Sequence, residues 1–149
     1  MSVDIIDHKV ICLQPGRYIG WPTIARRPNG ELVVVFSGDR DAHVDPFGKS
    51  MLVRSADQGE TWSEAELIND TPLDDRDAGV CALPDGSIVM SWFTSHYALD
   101  NYMRMCPEGE QDRWRAQVEA VTEDDLRQWA STELSAAGRY ELGRWTRRS

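Results

Sequence analysis

The sequence predicts an all-β fold assembled from repeated four-stranded antiparallel units, and three observations carry that expectation. Residues 18 to about 96 are short β-rich runs separated by Pro, Asn, Asp and Gly turns. A Pro-x-Gly hairpin at Pro28-Asn29-Gly30 recurs as Pro84-Asp85-Gly86, an offset of 84 − 28 = 56 residues. Between the third and fourth runs lies a distinctive turn, Ser55-Ala-Asp57-Gln-Gly59-Glu-Thr61-Trp62.

In chain order, Trp21 to Arg27 reads as a first strand that ends at the Pro28-Asn29-Gly30 turn, and the β-branched run Glu31 to Phe36 returns as the second. Lys49 to Arg54 is a third strand and Ala65 to Ile68 a short, more polar fourth, which completes a meander. The pattern then restarts. Val80 to Leu83 and Ser87 to Trp92 repeat the hairpin, with Leu32 matched by Ile88. A four-stranded unit repeated at this period is the mark of a β-propeller, whose blades need neighbours to cover their faces. The first blade is expected at about 18–70 and a partial second at about 75–149.

The second unit carries an insertion, residues 107 to about 137, that reads as helix. Thr122-Glu-Asp-Asp125 fits a capping box with Leu126 and Trp129 on one face behind it, and Trp114, Val118 and Val121 form an earlier apolar stripe. Such helices either pack on the rim, shape a substrate cleft or bind a partner. After Gly138 the β pattern resumes over Arg139 to Arg147 as the third strand of that unit. Arg148-Ser149 occupies the place of Arg54-Ser55, so the sequence is expected to be truncated at the start of a second such turn, leaving an open sheet edge available for self-association.

Composition narrows the function classes. The 149 residues include 41% apolar side chains and six Trp, enough for one modest core. A formal charge of −9 argues against nucleic acid or an anionic membrane as partner, because phosphate binding needs clustered Lys and Arg. Met1-Ser2-Val3-Asp4 lacks the basic and apolar regions of a secretion signal, and no apolar run approaches membrane-spanning length, so a cytoplasmic protein is expected. Cys12, Cys81 and Cys106 are widely spaced, with neither a Cys-x-x-Cys pair nor His at ligand spacing; they are expected as free thiols, with no metal and no cofactor.

The turn at residues 55–62 is a full match to the Asp-box, Ser-x-Asp-x-Gly-x-Thr-Trp. Its residue types suit a hairpin: Asp57 can accept from turn amides, Gly59 can take positive φ, and Trp62 can cover an apolar layer. It is a folding device, which identifies a fold without identifying chemistry. With this motif the chain resembles the sialidase superfamily of six-bladed Asp-box (BNR-repeat) propellers, over roughly residues 16 to 96 and the last strand.

The resemblance implies an exo-glycoside hydrolase acting on terminal sugars of glycans, with carbohydrate as substrate or ligand. Gly38-Asp39-Arg40-Asp-Ala-His43-Val-Asp45 is similar to the family segment in which an aspartate five residues after a Gly-Arg acts as acid/base, which places Asp45 in that role. Such a carboxyl can protonate a leaving oxygen if burial raises its pKa, and Arg40 can bind a substrate anion or tune the acid. His43 at this place is either a structural histidine or a donor to a sugar hydroxyl. Asp74-Asp75-Arg76-Asp77 is similar to the family's Asp-Pro motif, with Asp77 at the mouth-facing position, Arg76 as a substrate contact and Ala78 where the proline stands. Both stretches are equally what acidic surface turns contain.

Gly20-Trp21-Pro22 occupies the place of the family's Arg-Ile-Pro, and the absence of that arginine favours a non-sialic substrate. Family members use a tyrosine nucleophile assisted by a glutamate, from later blades; Tyr18, Tyr97, Tyr102 and Tyr140 do not lie in that context. A non-catalytic Asp-box propeller that binds glycans or proteins is the alternative, and a truncated product with no activity of its own is a third.

Overall fold

The computed structural model describes residue 4, residues 7–130 and residues 139–145. Strands β1 (Tyr18–Arg26), β2 (Leu32–Arg40), β3 (Lys49–Ser55) and β4 (Glu66–Asn69) form one antiparallel sheet in the order β1-β2-β3-β4. Strands β5 (Asp74–Ala82), β6 (Ile88–Ser95) and β7 (Arg139–Trp145) form a second, in the order β5-β6-β7. Helices α1 (Leu99–Met105), α2 (Gln111–Ala120) and α3 (Glu123–Ala130) lie between β6 and β7 in the chain. Among the described residues, no helix is long and apolar enough to cross a membrane.

The unbroken apolar run at 32–36 belongs to a strand covered on both faces. Val33 and Val35 of β2 join Leu52 of β3 against Ala78 of β5 and Ile88 and Met90 of β6, so the two sheets share one core. The alternate residues Val34 and Phe36 pack with Val53 on the opposite face, where Ile11, Cys12 and Trp62 cover them. Each such side chain contributes about 1.5–3 kcal/mol when fully buried.

The two hairpins that set the repeat have one geometry. Gly30 N–H donates to Arg27 O at 2.9 Å and Arg27 N–H to Glu31 O at 2.8 Å; Gly86 donates to Leu83 at 3.0 Å and Leu83 to Ser87 at 2.8 Å. Gly30 and Gly86 take φ of 89° and 82°, a conformation that an L side chain resists, which is why glycine closes both turns. The turns also touch. Arg27 donates from Nε and Nη2 to Gly86 O at 2.8 and 2.6 Å, while its Nη1 pairs with Glu31.

Asp57 organises the Asp-box turn as its residue types predict. It accepts from Thr61 N–H at 2.9 Å, Thr61 Oγ1 at 2.5 Å and Ser55 Oγ at 2.7 Å, and these bonds hold its carboxyl down to a pKa of about 2. Gly59 has φ 96°, and the Trp62 indole N–H donates to its carbonyl at 3.0 Å while the ring packs under Val34, Phe36 and Val53.

Several elements differ from the sequence expectation. Residues 38–40 and 74–77 were expected as loops; they are the end of β2 and the start of β5. Their charges pair across elements, so a strand can carry them inward. The helical insertion begins eight residues earlier than the expected 107, with α1 at Leu99 (107 − 99 = 8). Its N-cap is Ala98, which makes no side-chain cap, so that helix start has no sequence signature. The capping box before α3 is present: Asp125 N–H donates to Thr122 Oγ1 at 3.1 Å and Thr122 N–H to Asp125 Oδ2 at 2.9 Å. Residues 131–137 of the insertion and 146–149 of the last run lie outside the described residues.

Candidate functional site

Antiparallel register puts the end of β2 beside the start of β1, with Arg40 opposite Tyr18, and the start of β5 beside the end of β6, with Asp74 opposite Ser95. These ends meet. Arg40, Asp45, Asp74 and Asp75 are completely buried there, and Arg76 is 7% exposed. Ionised side chains at such depth require partners. Arg40 Nη1 lies 2.8 Å from Asp74 Oδ1, and its other donors reach His43 O at 3.3 Å and Ala42 O at 3.4 Å. Arg76 lies between Asp74, at 3.4 Å, and Asp77, at 3.5 Å. A Cβ at Gly48 would overlap the Arg40–Asp74 pair, so only glycine lets the backbone pass over it; Gly48 O then accepts from Asp75 N–H at 2.9 Å.

Asp45 closes the 41–47 loop. Its Oδ1 accepts from Phe47 N–H at 2.8 Å, and its Oδ2 from Ala42 N–H at 3.2 Å and from Asp41 N–H. Burial raises its pKa, against the opposing pull of Arg40 and of these amides. Burial likewise raises Asp74, and it raises Asp75 to about 6 although Thr94 Oγ1, at 2.6 Å, and Thr71 N–H, at 2.7 Å, donate to it.

A roof of aromatic rings covers the charges. The Trp21 indole lies 4.6 Å from the Arg76 guanidinium and 5.4 Å from that of Arg40, within cation–π range. His43 packs 4.7 Å from the same indole, and Tyr18 Oη is 3.3 Å from His43 Nδ1. Tyr18 and His43 are exposed, Trp21 half-buried. Trp21, Asp39 and Asp77, all at this end, have φ of 52°, 54° and 55°. Non-glycine residues held in that region cluster at functional sites, where the surrounding structure sustains the strain.

The insertion docks beside this roof rather than away from it. Trp114 is fully buried, donates its indole N–H to Asp41 Oδ2 at 2.8 Å, and meets Phe47 and Tyr102 edge-on at 6.4 and 6.2 Å. Arg113 pairs with the same carboxylate. Burial and the charge of Asp74 push the Tyr102 phenol upward, so it stands neutral at the inner side of the cluster.

Of the residues singled out in the sequence, Arg40, His43, Asp45, Arg76 and Asp77 therefore come together. The Asp-box does not join them. Ser55 pairs with Leu32 and Lys49 with Gly38, so Ser55, Asp57, Gly59, Thr61 and Trp62 lie toward the opposite end of the first sheet. The sequence reading named Trp21, Tyr18, Tyr102 and Trp114 but did not count them among the site residues. For Trp21 a signal existed: the 56-residue offset superposes it on Asp77 (77 − 21 = 56) and Gly20 on Arg76 (76 − 20 = 56).

No family model and no curated protein matches the chain. Among solved structures it is similar to the crystal structure of a protein of unknown function from Dyadobacter fermentans DSM 18053, at 26% identity and a TM-score of 0.54. The match covers 66% of this chain and 30% of that one, so this chain spans less than a third of the length of that relative.

Proposed function

We propose that these two sheets are blades of an Asp-box β-propeller of the sialidase kind, a fragment of an exo-glycoside hydrolase that acts on terminal sugars of glycans, with the active site incomplete in these two blades and its nucleophile supplied by later ones. One observation carries the reading. The segments that resemble the family's acid/base and Asp-Pro motifs, 35 residues apart in sequence at Asp39–Arg40 and Asp74–Arg76 (74 − 39 = 35), converge on one ion pair, Arg40–Asp74, at 2.8 Å. In a closed ring of blades the ends that carry them line the central mouth. Asp45 is the proton donor of this reading by its place in the matching segment, and burial raises its pKa, the direction that role asks for.

A second reading, glycan binding without hydrolysis, is favoured by the fact that both Asp45 oxygens accept from backbone amides of its own loop. On the completed propeller, a panel of aryl glycosides and a glycan array separate the two. Turnover that falls by about 10²-fold or more in Asp45→Asn, with glycan binding retained, supports the hydrolase. Binding without turnover supports the second reading, and neither binding nor turnover sinks both.

A further inference from the structure

We infer that the ligand at this mouth is a neutral sugar, packed against the Tyr18–Trp21–His43 wall and hydrogen-bonded through its hydroxyls to Asp77, and that an acidic sugar is disfavoured there. The inference rests on the glycan reading above and specifies its substrate class.

Recognition of a sugar carboxylate needs a cation with donors to give. Among the described side chains at this end, Arg17, Arg40, Lys49, Arg76 and Arg113 are each already committed to carboxylates of the chain. Arg40 holds Asp74 and is wholly buried. Arg76 lies between Asp74 and Asp77 beneath the Trp21 ring. Arg17 pairs with Asp39 at 2.8 Å and with Asp41, Lys49 with Asp39 at 3.0 Å and Asp70 at 3.4 Å, and Arg113 with Asp41 and, at 2.7 Å, Glu110. The carboxylates paired with these five cations, Asp39, Asp41, Asp70, Asp74, Asp77 and Glu110, already outnumber them. An incoming anion meets a field of its own sign and must break an existing pair to bind.

Neutral hydroxyls meet the opposite situation. The Asp77 side chain is 45% exposed and accepts without needing to be displaced. Tyr18 and His43 are exposed beside the Trp21 indole, which gives an amphipathic ring something flat to pack on. The bulge that twists Trp21 out of the β1 ladder, between Gly20 and Thr23, has its counterpart at Asp77, between Arg76 and Gly79, so wall and acceptor are presented by matching irregularities in the two sheets.

The test is titration of the protein with methyl glycosides of neutral hexoses and with the corresponding uronic acids and methyl sialoside, followed by tryptophan fluorescence and calorimetry. At least one neutral glycoside is expected to bind about tenfold or more tighter than every acidic sugar, a difference of about 1.4 kcal/mol. Tyr18→Ala and Asp77→Asn, both at exposed side chains, should weaken that binding while the melting temperature holds. Tighter binding of an acidic sugar, or neutral binding untouched by both variants, overturns this inference and leaves the glycan reading standing. Binding of no sugar removes both.

Discussion

Trp21 and Asp77 stand 56 residues apart (77 − 21 = 56) and share one backbone conformation, φ 52° and 55°, each at a bulge in the first strand of its sheet. The repeat therefore extends beyond the hairpin turns to a local distortion that neither side chain requires by itself. Because asparagine tolerates the left-handed region and a β-branched residue does not, Asp77→Asn should change stability by less than about 0.5 kcal/mol and Asp77→Val should cost about 1–2 kcal/mol. Urea unfolding of the two variants checks this. A valine variant as stable as wild type would mean that residue 77 is not held at positive φ.

Trp114 ties the insertion to the 41–47 loop. Trp114→Ala should cost about 3–5 kcal/mol through lost packing, and Trp114→Phe a smaller amount, about 1.5–3 kcal/mol, through the bond to the Asp41 carboxylate. Denaturant unfolding gives both values. If the alanine variant unfolds at the wild-type midpoint, the helices are not docked on this loop.

Asp75 is buried with a pKa raised from 3.8 to about 6, so between those pH values the folded state binds a proton that the unfolded state has released. Its contribution to stability is greatest below about pH 4 and is lost as pH rises to about 6, on the order of 3 kcal/mol in all. Asp75→Asn keeps an acceptor for Thr71 N–H and presents a donor to the Thr94 hydroxyl, which can turn to accept it. The difference in unfolding free energy between Asp75→Asn and wild type should grow across pH 4 to 6 in favour of asparagine. A flat difference would place Asp75 in contact with water.

Asp57 has the opposite sign. Its pKa is lowered to about 2, so its contribution is present above 3.8 and fades as pH falls toward 2. Asp57→Ala should lower the melting temperature at pH 7 and converge with wild type near pH 2, with ligand binding at the Trp21 end unchanged. An effect of Asp57→Ala on that binding, at equal fold content, would contradict the separation of the two ends.

Short-range chemistry made the strands and turns readable: Pro28-Asn29-Gly30 and Pro84-Asp85-Gly86 encode their hairpins in the residues themselves, and the Asp-box does the same. Arg40, Asp45, Arg76 and Asp77 were reached through resemblance, and their convergence depended on register that no local window contains. Asp74 and Asp75 read as solvated turn residues because burial of paired charges is decided by what lies across the sheet, here Arg40 and Thr94. The helix Leu99–Met105 was invisible for a different reason, since seven residues after an alanine N-cap leave neither periodicity nor a cap to detect.

The clasp between Arg27 and the Gly86 carbonyl has a direction. Position 30 is glycine in the first unit as position 86 is in the second, but the residue 56 positions after Arg27 is Leu83, whose side chain has no donor (27 + 56 = 83). The first turn thus carries a hook and the second only an eye. A chain made of look-alike modules risks joining them in the wrong order or to a module of another molecule. A one-sided fastening gives the joint a polarity: the first module can hook the second, and at this position the second has no donor side chain with which to hook the first.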